Sequence, residues 1–445
     1  MMGTLLNPLN SSMIAVALVL IQTHFKIGVA DASWLLSGFY LAAAVAQPLM
    51  GRFADLFGPR RIFCVGLVLV AVTSLLAPLS PAFGWLIVFR VLQALGTSAA
   101  YPSGLAIIRG SDPGGKAPAG ALGVLAIAAS VSAALGPVLG GFLAALAGWP
   151  AIFLVNVPVT VVGLLLALRW LPADARHMSD ESAAPSQGSA LRAALQIVDL
   201  PGIALFIVML ASLLAFLLSL PAGPLWPLLP VAPIAAVLLA LRELRVAEPF
   251  LNVRMLAANR PLVGVYAQFA AVNVVFYSIF FSVPLWLERV RDFDPGSSGL
   301  LLLPVSGIGV LSTPIAARLI NRSGPRIPLV VGAAMLTVGS LLLLVFNGAT
   351  PVIAILVVCA ILGIPTGFNN LGLQAALYES APAAQMGAAG GQFQTFRYVG
   401  AILSTSLLGL VFSTAVSSAG LHGLAYILAA ISAGVVAATI VARRA

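Results

Sequence analysis

Charged residues are scarce in this sequence. Asp, Glu, Lys and Arg make up 8% of its 445 residues, whereas hydrophobic residues make up 61%. Water-soluble domains carry about a quarter charged residues, so a chain this apolar needs lipid as the solvent for most of its length. The composition excludes a soluble globular protein and predicts an all-α membrane protein, because a helix satisfies its own backbone hydrogen bonds in lipid.

The sequence also lacks the patterns of metal, nucleotide and disulfide sites. Its two cysteines, Cys64 and Cys359, lie in separate apolar runs, which indicates neither a disulfide framework nor a thiolate metal site. The histidines His24, His177 and His422 do not have metal-ligand spacing, and no Gly-rich loop ends in Lys-Ser or Lys-Thr. We therefore expect no cofactor, no metal and no enzymatic activity, and an energy source other than ATP.

Carboxylates are missing from the middle of the apolar runs. The 13 Asp and Glu residues all fall in predicted loops or near the ends of the runs. The net charge of +9 comes from Lys and Arg residues that are scattered between the runs, so nucleic acid is not an expected partner.

The apolar runs are long enough to cross a membrane. About fourteen of them reach the roughly 20 residues that a bilayer-spanning helix needs. Most of the basic residues fall in alternate loops, and the positive-inside rule then puts both termini in the cytoplasm of a multi-pass protein of the inner (plasma) membrane.

An internal repeat divides the chain. The segment 52–60, RFADLFGPR, recurs as RLINRSGPR at 318–326, which indicates two parallel repeats of about six helices each. We expect an N-terminal bundle, a cytoplasmic linker rich in Ser, Ala and Pro, two inserted transmembrane helices, a cytoplasmic amphipathic connector, and a C-terminal bundle. Their predicted limits are 1–171, 172–198, 199–241, 242–261 and 262–445.

The first copy of the repeat carries the clearest motif. The segment GRFADLFGPRR at 51–61 resembles the signature loop between the second and third spans of the major facilitator superfamily. In such a loop one carboxylate and several arginines lock helix ends by charged hydrogen bonds, and a glycine permits the tight turn. The resemblance implies a cytoplasmic gate, whereas the alternative is that the arginines only anchor the loop. The gate residues would be Gly51, Arg52, Asp55, Gly58, Arg60 and Arg61.

Two further motifs follow in the fourth and fifth spans. The segment RVLQALG at 90–96 is similar to the family's second motif, which implies a coupling role for Arg90, Gln93 and Gly96. An arginine within a span is costly and is functional by default, although Arg90 could instead be a satisfied structural residue or reach the interface. The segment GPVLGG resembles the motif of exporters and implies a hinge at Gly136, Pro137, Gly140 and Gly141.

The resemblance extends over nearly the whole chain and is closest to the fourteen-span drug:proton antiporter branch. That branch carries an Asp in its first span where this chain has Asn10. The missing acid disfavours cationic drugs and favours neutral, amphipathic or anionic compounds. Polar and aromatic residues within the spans are the candidates for the substrate cavity. They are Asn10, Tyr40, Tyr101, Asn273, Tyr277, Asn369, Asn370, Gln374, Gln392, Phe396 and Arg397.

The resemblance implies two helical bundles that rock about a central cavity, and a secondary active transporter that exports small amphipathic or drug-like compounds in exchange for protons. Two alternatives remain open: a uniporter or solute-specific exporter without proton coupling, and a membrane sensor or scaffold that does not transport. The expected partners are a small-molecule substrate, protons and the lipid bilayer, and the expected state is a monomer.

Overall fold

The computed structural model describes residues 2–110, 119–171, 199–220, 223–246, 251, 253–381, 386–413 and 415–441. Every regular element within these ranges is a helix. Eleven helical segments in the described ranges are long and apolar enough to cross a membrane. The predicted all-α membrane fold is confirmed, and the count of about fourteen spans remains a prediction.

The helices are numbered in chain order. They are α1 (Met2–Phe25), α2 (Val29–Phe57), α3 (Pro59–Leu76), α4 (Phe83–Ser98), α5 (Ala100–Gly110), α6 (Ala119–Ala147), α7 (Ala151–Leu154), α8 (Asn156–Trp170), α9 (Leu200–Ser219), α10 (Val231–Glu243), α11 (Val253–Ala258), α12 (Arg260–Val290), α13 (Pro295–Ser323), α14 (Arg326–Leu342), α15 (Val352–Ser380), α16 (Met386–Val411) and α17 (Ser418–Val441).

Local sequence explains where several of these helices begin. The side chains of Asp199, Asn259 and Asp294 each accept a hydrogen bond from a backbone N–H in the first turn of α9, α12 and α13. Each cap is followed within two residues by a proline, which is favourable at the start of a helix because its missing N–H would have no partner there. These short polar and proline-containing segments therefore separate the apolar runs into distinct helices.

The helices before the predicted linker pack with one another. In this group α1 lies against α6, α2 against α4, and α3 against both α4 and α8. The last six helices make a second group, in which α13 lies against α15, α12 against α16, and α14 against both α15 and α17. We call the two groups the N-half (α1–α8) and the C-half (α12–α17).

The two halves meet along two helix pairs, α2 with α16 and α6 with α13, and α1 also contacts α12. Both pairs run antiparallel. In the first pair Ser37 bonds to Thr405, and the backbone of Ala44, further along α2, accepts from Thr395. In the second pair Pro137 lies against Gly299 and Gly141 lies against Pro295. The turns at Gly58 and Gly324 consequently lie at the same end of the molecule, which we call the basic face. The opposite end, where α1 ends and α13 begins, is the distal face.

Helices α9 and α10 pack against each other, and α9 also contacts α2 and α16. A Cβ atom on Gly409 of α16 would overlap the side chain of Leu218 in α9, so this glycine permits the contact. The predicted linker lies outside the described residues, as do 247–250 and 252 of the predicted connector. The limits of the five predicted segments remain predictions.

Candidate functional site

The predicted gate lies at the turn between α2 and α3. Gly58 has φ +97° there, a backbone conformation that L side chains rarely adopt, so the turn requires glycine. Arg60 donates a hydrogen bond to the carbonyl oxygen of Leu168 at 2.8 Å, which joins the start of α3 to the end of α8. Gly51 lies in α2 next to Pro102, and Arg61 is exposed. The side chains of Arg52 and Asp55 lie outside the described part.

The second copy of the repeat has the same local geometry. Gly324 has φ +73° in the turn between α13 and α14. Arg326 donates to the carbonyl oxygen of Ile440 at 2.9 Å and joins the start of α14 to the end of α17. In both halves, therefore, an arginine just after the glycine turn ties the third helix to the last helix of its group.

Arg90 lies inside the N-half on α4 and is 2% exposed. Its Nη1 donates to Oε1 of Gln93 at 2.8 Å, and Nε2 of Gln93 donates to the hydroxyl of Ser74 on α3 at 2.9 Å. The guanidinium carbon lies 4.3 Å from the ring centroid of Phe39 on α2, a cation–π contact. Gly96, the third coupling residue, allows α4 to approach α3, because a Cβ there would lie 2.8 Å from the carbonyl oxygen of Gly66.

The predicted hinge contacts two different helices. Gly136 and Gly140 face α1, where a Cβ on Gly140 would lie 2.7 Å from Cα of Met13 and a Cβ on Gly136 would overlap Ser12. These two contacts lie within the N-half. The small residues let α1 and α6 pack at backbone distance.

The other two hinge residues face the C-half. A Cβ on Gly141 would overlap the carbonyl oxygen of Pro295, and a Cβ on Gly299 would overlap the carbonyl oxygen of Pro137. The backbones of α6 and α13 therefore touch near the distal face. One short motif thus supplies both an internal contact of the N-half and a contact between the halves.

Asn10, the residue at the position of the missing acid, lies buried in α1. Its Oδ1 accepts a hydrogen bond of 2.9 Å from Nδ2 of Asn156 in α8. That nitrogen also donates to the carbonyl oxygens of Ile152 and Phe153. Nδ2 of Asn10 has no partner among the described atoms. The side chain therefore joins α1 to α8 within the N-half.

Three of the predicted cavity residues and one neighbouring tyrosine come together where α2, α12 and α16 meet. We call Tyr40, Tyr277, Arg397 and Tyr398 the central aromatic cluster. The ring centroid of Tyr40 lies 5.2 Å from that of Tyr277 and 5.9 Å from that of Tyr398. Arg397 donates through Nε and Nη2 to the hydroxyl of Tyr277, at 3.3 and 3.1 Å. Gln47 of α2 donates to the hydroxyl of Tyr398 at 3.0 Å, so the cluster bridges the halves.

Three other candidates lie along the contact of α12 with α16. Nδ2 of Asn273 donates to the carbonyl oxygen of Phe269 in its own helix at 2.8 Å. The ring of Phe396 stacks on that of Tyr266 with a centroid distance of 5.1 Å. Gln392 is buried, and its Oε1 has no partner within the described ranges.

The polar residues of α15 do not form one group. Asn369 is buried against Gly332 of α14, inside the C-half. Asn370 and Gln374 are exposed and lie one turn apart in the part of α15 nearer the basic face. Tyr101 lies in α5, and its side chain is outside the described part.

Sequence reasoning missed a polar contact near the distal face. Arg289 at the end of α12 donates to Oε1 of Gln22 in α1 at 3.4 Å, which is a contact between the halves. The neighbouring Glu288 is 9% exposed, and its Oε1 has no partner in the part of the chain that the structure describes. The sequence does not predict this burial. Glu288 stands beside Arg289 at the end of an apolar run, where charged residues are usually exposed.

Comparison with known proteins identifies the family. The model of the Major Facilitator Superfamily matches residues 1–405. A Bacillus subtilis (strain 168) protein named "Uncharacterized MFS-type transporter YwoD" is 40% identical over 417 residues, which are 94% of this chain and 90% of the relative. The "Tetracenomycin C resistance and export protein" of Streptomyces glaucescens is 32% identical over 420 residues, which are 93% of this chain and 75% of the relative.

Solved structures agree on the fold. A POT family transporter in complex with 5-aminolevulinic acid superposes with a TM-score of 0.71 at 14% identity, over 97% of this chain and 93% of that one. A mutant form of the nucleoside transporter NupG gives 0.69 at 12% identity, over 99% and 97%. At these identities the likeness concerns the fold alone. Together with the family match it shows that this multi-pass membrane protein belongs to the Major Facilitator Superfamily of transporters.

Proposed function

We propose that this transporter exports small amphipathic or drug-like compounds by alternating access, in exchange for protons. The observation that carries the proposal is a contrast between the two ends of the interface between the halves. Near the distal face a Cβ on Gly141 or Gly299 would overlap the backbone of the other half. Near the basic face a Cβ on Gly390 or Gly391 would meet nothing within 4 Å among the described atoms.

This contrast fits a molecule that is closed at one end and open at the other. Asn370 and Gln374 are exposed in the basic half of α15, and amides are favourable at membrane depth only where they reach water or protein partners. The excess of arginines at the basic face supports its placement in the cytoplasm. The conformation would then be open to the cytoplasm, ready to load a compound for export. The name of the Streptomyces glaucescens relative supports the export direction.

Proton coupling needs a group that takes up and releases protons. Glu288 is our candidate, because it is a buried carboxyl beside the contact between Gln22 and Arg289 that links the halves at the distal face. The charged groups that act on it are Arg289 and Asp294. A change in its protonation would alter the charge next to this contact and so bias its opening.

Everted membrane vesicles with a fluorescent pH probe test the proposal. Energised vesicles that contain the transporter should release protons when an amphipathic compound is added, whereas vesicles without it should not. Glu288→Gln should keep compound movement down a gradient and lose the linked proton movement. If no class of compound induces proton movement, the proposal that export is coupled to proton antiport is wrong.

The second candidate function is export, or facilitated diffusion, without protons. The pairing of Asn10 with Asn156 favours it, since an amide pair occupies the place where the antiporter-like branch has its first-span acid. An efflux rate that does not change between pH 6 and 8 (a range of about 2 units around neutrality) would support this candidate over antiport.

A further inference from the structure

Among the residues that the structure describes, Arg90 and Arg397 lie well inside membrane-spanning helices, and the hydrogen bonds recorded for them there go to neutral side chains. The ion pair between Arg242 and Asp199 lies away from the centre. Arg90 is held by the amide of Gln93 and the ring of Phe39, and its Nε has no partner among the described atoms. Arg397 is held by the hydroxyl of Tyr277. An uncompensated cation within a membrane span is costly, so each arginine is expected to have a functional reason.

Aromatic rings connect the two arginines. The guanidinium of Arg90 lies over Phe39, whose ring centroid is 5.7 Å from that of Tyr40. Tyr40 in turn contacts Tyr277, which accepts both hydrogen bonds from Arg397. The N-half and the C-half therefore each supply one cation, and the ring of Tyr40 lies between them.

One polar atom in this arrangement is unused. Tyr40 is 1% exposed, and within the described ranges its hydroxyl has no hydrogen-bond partner. A buried hydroxyl without a partner loses about 1–3 kcal/mol, so its retention points to a partner that is present in another state. The ring of Tyr40 lies between the residues that hold the two guanidinium groups, and a hydroxyl in this setting suits an anionic oxygen, to which it can donate a hydrogen bond.

The apolar surroundings of this position are aromatic. The ring of Tyr277 stacks with that of Phe281 at 5.9 Å, and Phe276 stacks with Phe280 at 5.5 Å. Phe276 and Arg397 are both partly exposed, so these two side chains are accessible without unfolding. Flat rings on three helices favour a flat apolar body in the compound that they contact.

We propose that the central aromatic cluster binds an aromatic organic anion, whose carboxylate is held by Arg397 and the hydroxyl of Tyr40, with Arg90 adding positive potential from the N-half. This inference rests on the proposed transport function and gives its substrate class. Release of Tyr277 from Arg397 would free the guanidinium for bidentate binding of the carboxylate, and the bound compound would touch both halves.

Binding to the full-length protein, purified in detergent, tests the proposal by isothermal titration calorimetry. The probes form a matched series: the naphthoate anion, the neutral naphthamide, the naphthylmethylammonium cation, and decanoate as an anion without a ring. We expect naphthoate to bind at least ten-fold more tightly than naphthamide and decanoate, which corresponds to one charge-assisted hydrogen bond or more. The cation should not bind measurably.

Variants locate the site. Arg397→Gln should weaken naphthoate binding about ten- to a hundred-fold, and Arg397→Lys should weaken it less, since the charge remains but the fork is lost. Tyr40→Phe removes one hydroxyl and should weaken binding by roughly three- to ten-fold. Arg169→Gln, at an exposed arginine of the basic face, is the matched control and should leave binding within about two-fold of the parent protein.

Three results would overturn the proposal: no naphthoate binding, equal binding of naphthoate and naphthamide, or naphthoate binding that survives Arg397→Gln in a protein with normal thermal unfolding. Preferred binding of the cation would overturn it while leaving the transport function standing. Conversely, if naphthoate binds through Arg397 but no compound is moved by vesicles, the anion site stands and the proposed export function fails.

Discussion

At the scale of single residues, the interior uses amides and hydroxyls where soluble proteins use ion pairs. Gln93 accepts from Arg90 and donates to Ser74, so one side chain positions a cation and joins two helices. Asn156 likewise joins α8 to α1 through its hydrogen bond to Asn10. Amides suit this setting because they provide both donors and acceptors without adding a charge that lipid would penalise.

Arg90 and Gln93 should therefore differ in what they contribute. Arg90→Gln removes the charge and leaves Gln93 bonded to Ser74, so transport should fall at least ten-fold while the unfolding temperature changes little. Gln93→Leu leaves the hydroxyl of Ser74 and Nη1 of Arg90 without partners and should reduce stability by about 1–3 kcal/mol. Vesicle transport and thermal unfolding of both variants check this. Unchanged transport in Arg90→Gln would remove the coupling role.

Asp294 gives a prediction on pH at the distal face. Its carboxylate accepts from the hydroxyl of Ser297 at 2.6 Å and from the backbone N–H of Ser297 at 3.1 Å, and these hydrogen bonds hold the pKa of Asp294 below its ordinary value. Because the pKa is lower in the folded protein, the ionised carboxylate of Asp294 stabilises the folded state at every pH above its ordinary pKa of about 4. This stabilisation is lost only as the pH falls through the lowered pKa of the folded protein.

Asp294→Ala should consequently lower stability by about 1 kcal/mol at neutral pH, because α13 loses its N-cap. Because Asp294 also acts on Glu288, the comparison is made in a Glu288→Gln background. There the difference in unfolding temperature caused by Asp294→Ala should be constant between about pH 5 and 8. Ser297→Ala, which keeps the backbone N–H and loses the hydroxyl, should have a smaller effect. A difference that varies across this range would show that another titrating group dominates at this cap.

At the scale of helices, α6 combines two kinds of contact. Gly140 packs on Met13 within the N-half, whereas Gly141 packs on Pro295 across the interface. Successive residues of a helix point about 100° apart, so two adjacent glycines serve two different neighbours. The first contact should affect folding, and the second should affect the equilibrium between conformations.

The matched pair Gly140→Ala and Gly141→Ala tests this division. Gly140→Ala should reduce thermal stability by about 1–3 kcal/mol, since the methyl group would be forced against Met13. In Gly141→Ala the steric clash disappears when α6 and α13 separate. This variant should therefore have a nearly normal unfolding temperature and should open its distal face more often. The readout is the rate at which a membrane-impermeant maleimide labels Ser298→Cys in a background without Cys64 and Cys359. Ser298 is buried on α13, between the two residues that touch α6.

Gly434→Ala is the control for these variants. Gly434 lies in α17, and a Cβ there would meet nothing within 4 Å among the described atoms. Alanine should raise stability by up to about 1 kcal/mol through its helix propensity, without a change in labelling. Equal labelling in Gly140→Ala and Gly141→Ala would contradict the separate roles of the two contacts.

The whole molecule shows what the sequence alone could predict. Long apolar runs predicted the helical membrane fold, since length and hydropathy are local properties. The family was indicated by the resemblance of the motifs at 51–61, 90–96 and 136–141. The sequence also singled out Tyr40, Tyr277 and Arg397, which the structure brings together, although their roles remain predictions. Polar and aromatic residues within spans are few, so they mark the interior well.

The sequence was less informative on which polar residues share one surface. Asn369 and Asn370 are adjacent, yet the first lies against Gly332 and the second is exposed, because neighbouring positions of a helix face different directions. The bond between Asn10 and Asn156 joins residues 146 apart in the chain. Pairings of this kind depend on how helices pack, which no local pattern contains.

Alternating access requires the two halves to separate at the distal face, and a pair of introduced cysteines can test this. The hydroxyls of Ser37 on α2 and Thr405 on α16 share a hydrogen bond, so the two halves are in direct contact there. If compounds leave through the distal face, α2 and α16 must separate at this point in every cycle. The double variant Ser37→Cys/Thr405→Cys, in a background without Cys64 and Cys359, should form a disulfide on oxidation.

The oxidised double variant should lose export almost completely, and a reductant should restore it. Each single-cysteine variant, oxidised in the same way, should keep its activity, which separates the effect of the cross-link from that of the substitutions. Binding of a compound from the basic face should survive oxidation, because the cross-link holds closed only the end that is already closed. Full export by the cross-linked protein would mean that the two halves do not separate at Ser37 and Thr405. Transport would then have to follow a path inside one bundle, and the model in which two bundles rock against each other would be wrong.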